Sequence, residues 1–393
     1  MKAVTWQGRR KVSVETVPDP AIQDPTDVIV RITSSGLCGS DLHLYEVLGP
    51  FLDPGDILGH EPMGVVEEVG PEVRSLSPGD RVVVPFNISC GTCAMCRDGL
   101  HSQCETTQVH AYGTGAALFG YTKLYGQVPG GQAEYLRVPF GDTLPIAVPE
   151  GPPDDRYVYL SDVLPTAWQA VEYADVPPGG SLAVLGLGPI GDMASRIALL
   201  RGAGLVIGLD PVPERRERAA ARGVHTVDPG DGTDPVERVR DLTQGRGPDA
   251  VIDAVGMEAH GAPVARGLHA MVARLPDAVA RGLMRRFGVD RLSALHLAVE
   301  LVRRGGTVSL SGVYGGAADP MPLLVMFDKQ LTLRMGQANV RRWVDRLLPL
   351  LGDDDPLGVD DFATHRVPLA EAPEAYDMFQ TKRDGAVKIL FKP

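Results

Sequence analysis

The sequence predicts a two-part α/β protein, in which a β-rich, barrel-like unit is interrupted by an inserted, doubly wound parallel-sheet unit. Three observations carry this expectation. The first 155 residues are mostly short apolar runs divided by Pro, Gly and Asp, a pattern of many turns and short strands. Residues 156–335 alternate strand-like and helix-like segments around a glycine-rich turn. The closing segment, 336–393, is too short to bury a core of its own, so it is expected to return to the first unit.

Composition bounds the possibilities. A chain of 393 residues is too long for one ordinary core and suggests about two or three domains. The hydrophobic content of 44% with 22% charged residues is that of a globular protein. A formal net charge of −12 argues against nucleic acid or an anionic membrane as partner. No apolar run approaches the roughly 18–20 residues of a membrane-spanning helix. Met1 to Trp6 runs straight into a strand-like pattern with no apolar leader, so the cytoplasm is the expected location. No internal repeat stands out.

In the first part, Val28–Ile32, Gly64–Val69 and Asp80–Pro85 read as strands. Between the first two lies Gly36–Glu61, which holds a thiol (Cys38), a hydroxyl (Ser40), two imidazoles (His43, His60) and a carboxylate (Glu61). Thiolate and imidazole are ligands zinc prefers, and a hydroxyl near a histidine can move a proton. A second cluster follows: Cys90, Cys93, Cys96 and Cys104, inside a lobe at about 88–106. Four thiolates so closely spaced close a tetrahedral site with no open position, which marks a structural metal site.

In the second part, Ser181–Leu185 reads as a buried strand running into Gly186-Leu187-Gly188-Pro189-Ile190-Gly191, with a helix from Asp192 to Arg201. Leu205–Asp210 is the next strand, followed by a helix from about Glu214 to Arg222. A glycine turn between strand and helix, with Asp210 nineteen positions past Gly191, is the dinucleotide fingerprint. Its glycines let the backbone approach a pyrophosphate at the helix N-terminus. Asp210 would accept hydrogen bonds from the adenosine ribose and repel a 2′-phosphate, favouring NAD. Ala250–Gly256 and Gly306–Gly312 continue the sheet. The stretch near 257–304, with His260, Pro276, Gly282 and Gly288, is longer than one crossover helix and reads as containing an insertion that ends in helical spacing at Leu292, Leu295, Val299 and Val302. The return segment carries a helix over Val340–Leu351, a strand at Thr364–Leu369, a helix over Glu371–Lys382 and a strand at Val387–Phe391.

These motifs, in this order, resemble the zinc-containing medium-chain alcohol dehydrogenases: G-L-C-G-S-D-L-H (36–43), G-H-E-P-M-G (59–64), the four-cysteine lobe and G-L-G-P-I-G (186–191). The resemblance spans nearly the whole chain. It implies a GroES-like catalytic domain with an inserted Rossmann domain, two zinc ions per chain (one catalytic, one structural), and NAD. It further implies that Cys38 and His60 are ligands of the catalytic zinc, Ser40 the hydroxyl that bonds the substrate oxygen, His43 the outer member of a proton relay, and Glu61 a carboxylate that reaches the metal transiently. Many members supply a cysteine as third ligand just before the dinucleotide domain. Here the segment is Leu160-Ser161-Asp162-Val163-Leu164-Pro165, which is similar to the glutathione-independent formaldehyde dehydrogenases, so Asp162 takes that place. The implied reaction is reversible hydride transfer between a small alcohol and NAD, giving an aldehyde or ketone, by a homo-oligomer (dimer or tetramer). A formaldehyde dehydrogenase or aldehyde dismutase with tightly held NAD is the alternative, and a non-catalytic NAD- and zinc-binding regulator a further one. A zinc-independent quinone reductase of the same superfold would lack both ligand sets.

Overall fold

The computed structural model describes residues 1–256, 292–314 and 321–393. Most of the expected insertion, including His260, Pro276, Gly282 and Gly288, lies outside the described residues. In chain order the first strands are β1 (Lys2–Gly8), β2 (Lys11–Thr16) and β3 (Val28–Leu37). Helix α1 (Gly39–Glu46) follows β3 directly, and β4 (Glu61–Val69), β5 (Arg81–Val83), β6 (Tyr135–Val138) and β7 (Ile146–Ala147) come next. After α2 (Val163–Ala174) the chain alternates: β8 (Ser181–Leu185), α3 (Pro189–Leu200), β9 (Leu205–Leu209), α4 (Pro213–Ala220), β10 (His225–Val227), α5 (Pro235–Leu242) and β11 (Ala250–Asp253). Then come α6 (Ser293–Leu301), β12 (Thr307–Leu310), α7 (Leu323–Asp328) and β13 (Thr332–Met335). The return segment holds α8 (Val340–Leu347), β14 (His365–Pro368), α9 (Ala372–Thr381) and β15 (Ile389–Lys392).

The chain forms two compact units, one of residues 1–165 with 338–393 and the other of residues 166–337. In the first, β1 and β2 make an antiparallel hairpin, and a seven-stranded mixed sheet runs β14-β15-β3-β4-β5-β7 with β6 also paired to β3. Strand β3 is the hub, pairing antiparallel with β4, β6 and β15. Its Val28, Val30 and Ile32 alternate onto one face and pack with Val66, Val82 and Leu136, the two-residue period of a strand with one face in a core. The C-terminal strand β15 pairs with the end of β3 that leads into Cys38. The return segment thus completes the sheet beside the motif that begins at Gly36.

In the second unit six strands are all parallel, in the order β10-β9-β8-β11-β12-β13. Counted from β8 this is 3-2-1-4-5-6, the doubly wound dinucleotide-binding order, and its direction reverses between β8 and β11. Ala183, Leu185, Ile207, Val251 and Val308 fill the sheet's core, and Leu295 and Val299 of α6 pack onto it. That accounts for the apolar spacing read at Leu292–Val302. Among the described residues, no helix is long and apolar enough to cross a membrane.

Candidate metal centres and nucleotide-binding turn

Cys38 caps the start of α1, immediately after β3. His60 precedes β4 and Glu61 begins it, so the antiparallel β3–β4 pairing, in which Glu61 lies opposite Gly36, brings the two ends of the 36–61 stretch together. Asp162 comes from just before α2. One donor atom each from Cys38, His60, Glu61 and Asp162 lies within 4.8 Å of all the others, and all four residues are buried. Asp162 Oδ2 is 3.4 Å from Cys38 Sγ and 3.4 Å from His60 Nε2. Ser40 Oγ is 3.1 Å from the same nitrogen. His43 is on α1, buried, three residues beyond Ser40, a spacing that puts both on one helix face.

The electrostatics of this cluster suit a cation. Burial, reinforced by Asp162 and Glu61, pushes the Cys38 thiol up to about 11. Sulfur and two carboxylates here would be anions crowded out of water, and a divalent ion supplies the opposing charge and makes the thiolate the stable form. Sulfur, nitrogen and oxygen donors are also a set that zinc accepts. The residues therefore fit the metal that the motif implies.

The side of His60 away from the cluster faces Asp41, which the sequence reading passed over. Asp41 Oδ1 faces His60 Nδ1 at 3.3 Å, while Asp41 Oδ2 accepts from Cys38 N at 2.9 Å and from Gln132 Nε2 at 3.4 Å. Tyr376 of α9 donates to Gln132 Oε1 at 2.8 Å. A carboxylate facing Nδ1 favours the proton on that nitrogen and Nε2 as the metal-binding one, turned toward Cys38 and Asp162. Burial opposes a charge on His60, yet Asp41, Asp162 and Cys38 together raise its pKa well above the ordinary value. The rings of Tyr121 and Phe86 stand nearly perpendicular to His60, with centroids 6.3 and 6.4 Å away. Glu61 is paired with Lys388, another residue the sequence reading did not single out. The one signal was a lysine inside the apolar run Val387–Phe391.

The four cysteines of the lobe come together as spacing suggested. Cys90, Cys93, Cys96 and Cys104 present sulfurs within 4.8 Å of one another, around a helical turn at Ala94–Arg97. Cys90 Sγ accepts from Thr92 N at 3.4 Å, Cys93 N at 3.3 Å and Thr106 Oγ1 at 3.2 Å. Burial works against a thiolate there, but these donors outweigh it and bring Cys90 down to about 5. A thiolate prepared in this way is a metal ligand at neutral pH.

In the second unit, the turn after β8 sits at the switch between β8 and β11. Gly186 has φ +82, a conformation that costs a side-chain-bearing residue energy. Gly188 caps α3, Pro189 and Ile190 form its first turn, and Gly191 packs against the carbonyl of Gly186. Asp210 is buried, accepting from Leu187 N at 2.7 Å and Val212 N at 2.8 Å, with Arg215 Nη1 3.7 Å away. It ties the glycine turn to the end of β9, the place where an adenosine ribose is bound in this fold.

A buried sulfur–nitrogen–carboxylate cluster, a four-cysteine lobe and a dinucleotide turn together define a zinc-binding dehydrogenase. Comparison with known proteins agrees: the alcohol dehydrogenase GroES-like domain family matches residues 24–149, and the zinc-binding dehydrogenase family matches residues 189–271. The chain belongs to the zinc-type alcohol dehydrogenase family. An uncharacterized zinc-type alcohol dehydrogenase-like protein of Bacillus subtilis is 39% identical over 398 residues, covering 100% of both chains. The solved alcohol dehydrogenase of Thermus sp. ATN1 is 37% identical with a TM-score of 0.83, over 100% of this chain and 99% of its own. Formaldehyde dismutase of Pseudomonas putida is similar at a lower identity, 31%, over 100% of this chain and 97% of its own.

Proposed function

We propose that the protein is a zinc-dependent alcohol dehydrogenase that transfers hydride reversibly between a small alcohol and NAD. The observation that carries this reading is the convergence of Cys38, His60 and Asp162 donors, with Ser40 Oγ against the same His60 nitrogen. Cys38, His60 and Asp162 hold the catalytic zinc, and Cys90, Cys93, Cys96 and Cys104 hold a structural one. When bound, zinc supplies Lewis-acid polarisation of the alcohol oxygen and NAD supplies the hydride acceptor. The chain's own groups do the positioning and the proton transfer. Asp41 faces His60 Nδ1 and favours Nε2 as the ligand nitrogen. Ser40 Oγ would accept the hydroxyl proton as it releases its own toward His43, the outer acceptor, which would hand it to solvent. Gly186, Gly188 and Gly191, with the first turn of α3 through Pro189 and Ile190, seat the pyrophosphate, and Asp210 bonds the ribose and selects NAD over its 2′-phosphorylated form.

Asp162 is the residue on which the reading turns, because a carboxylate in this position is also what the formaldehyde-converting alternative calls for. Asp162→Asn is expected to lose one zinc per chain and NADH formation from alcohols, while the zinc of the cysteine lobe stays. Metal analysis alongside NADH absorbance with primary and secondary alcohols and formaldehyde tests both points. Retention of two zincs by the variant would remove Asp162 from the ligand set. Consumption of formaldehyde without release of NADH would favour the dismutase.

A further inference from the structure

Glu61 and Lys388 form an ion pair with both side chains fully buried. Such a pair is poor evidence of stabilisation by itself, because apolar residues of similar size often serve a core as well or better. Its geometry points to another role. On β3, Gly36 lies opposite Glu61 of β4 and opposite Leu390 of β15. The carboxylate and the ammonium therefore meet across a position with no side chain. A Cβ built on Gly36 would stand 1.8 Å from Glu61 Oε2 and 3.0 Å from Lys388 Nζ. Lys388 Nζ also donates to Leu37 O at 3.1 Å, which fixes it to the backbone one residue before Cys38. The carboxylate is thus divided. Oε2 is held by Lys388, Oε1 is buried with no hydrogen-bond partner, and one Glu61 oxygen lies within 4.8 Å of the donors of Cys38, His60 and Asp162.

We propose that Lys388 is a positioning residue that holds Glu61 at the edge of the metal cluster, keeping a competing carboxylate off the coordination position that the substrate oxygen needs. The proposal rests on Cys38, His60 and Asp162 being the metal ligands. Glu61 has two places to put its charge, the ammonium of Lys388 or a divalent ion, and the ammonium is the partner that Gly36 makes room for. Without it, the carboxylate has only the ion to turn to, and the open position closes.

The test uses the full chain loaded with Co²⁺, whose visible spectrum reports its ligands. The difference between the wild type and Cys38→Ser isolates the cluster from the cysteine lobe. Imidazole, a neutral one-atom donor, is titrated as the probe of the open position. Lys388→Met is expected to bind it about tenfold more weakly or worse, the scale on which groups behind a metal's ligands act. Lys388→Met combined with Glu61→Gln restores the affinity, and Lys388→Arg stays close to wild type. A role in folding alone would leave the double variant as weak as the single one, and that result, or unchanged binding in Lys388→Met, overturns the proposal. If Lys388→Met does not fold, Lys388→Gln, which keeps a donor for Leu37 O, enters the same comparison. If Cys38→Ser leaves the cobalt spectrum unchanged in the wild-type background, the metal reading itself fails and takes this assignment with it.

Discussion

Alanine at Gly188 and alanine at Gly191 are expected to damage the nucleotide site for different reasons. Gly188 has φ −67 and ψ −168 at the cap of α3, a backbone that alanine adopts without strain. Among the described residues, a Cβ there would meet only Arg215, with Nη1 at 3.5 Å, which is ordinary contact. Folding should therefore change by no more than about 0.5 kcal/mol. The methyl would, however, stand on the surface that a pyrophosphate must approach, so NADH affinity should fall tenfold or more, about 1.4 kcal/mol. At Gly191 the built Cβ is 1.7 Å from Gly186 O, where ordinary contact begins at 3.4 Å, so the two must part by 3.4 − 1.7 = 1.7 Å. The atom in the way is backbone, and Gly186 is itself tied to β9 through Leu209 O at 2.8 Å. The start of α3 has to move instead. Overpacking of this kind costs about 1–3 kcal/mol, and a misplacement of about 1 Å at a binding element is enough for a loss on the order of 100-fold.

Fluorescence titration with NADH and thermal melting separate the two cases, and zinc content serves as a control that the first unit is intact. Gly188→Ala should melt with the wild type and bind weakly; Gly191→Ala should melt lower and bind more weakly still. Wild-type NADH affinity in Gly188→Ala would show that the turn is not the pyrophosphate seat. An unchanged melt in Gly191→Ala would show that the contact between α3 and Gly186 is not what the glycine provides.

Two further perturbations address the first unit. Asp41→Asn cannot satisfy its surroundings, because an amide must turn its NH₂ either toward Cys38 N–H and Gln132 Nε2 or toward His60 Nδ1; chelator competition should show the catalytic zinc held about 10- to 100-fold more weakly, with the cysteine-lobe zinc unaffected. Asp155 pairs with Lys392 and Arg366, and although burial opposes its charge these partners bring its pKa below the usual value. A depressed carboxylate stabilises the fold above its unfolded pKa of about 4 and loses that contribution as the pH falls through the folded value. Both cations are partly exposed, so the contribution is about 1 kcal/mol; denaturation midpoints of wild type and Asp155→Asn should differ near neutrality and converge in acid, and a gap that persists in acid would contradict the assignment.

What could be read from the sequence is what depends on neighbours in the chain. The alternation of Val28, Val30 and Ile32, the strand and turn at Ser181–Gly191 and the spacing of the four cysteines each state their structure within a few residues, and each is found where it was expected. The irregular backbone between β5 and β6 carries no period, and the reading there went no further than the cysteine lobe. Asp162 is an intermediate case. It lies 124 residues from Cys38, and no spacing rule connects them, so a resemblance was needed to single it out. Asp41 was in full view inside S-D-L-H, but its partner His60 is brought to it by the turn of the chain into β4.

The groups behind the proposed metal ligands are a harder case, for a physical reason. Lys388 reaches Glu61 across 327 residues and Tyr376 reaches Gln132 across 244, and both arrive only because the return segment adds β15 beside β3 and α9 behind it. A sheet brings distant residues to adjacent positions in a register set by each strand's apolar pattern and turns, which no local motif states. The ligand atoms can therefore be guessed from a motif, whereas the charge and hydrogen bonds behind them are set by a register. Here that register places Gly36 between Glu61 and Leu390, and the Lys388 side chain, two residues before Leu390, reaches Glu61 over the glycine. The opening G-L-C-G of the motif then has a second meaning: its first glycine leaves the gap through which the end of the chain reaches the carboxylate beside the catalytic cluster.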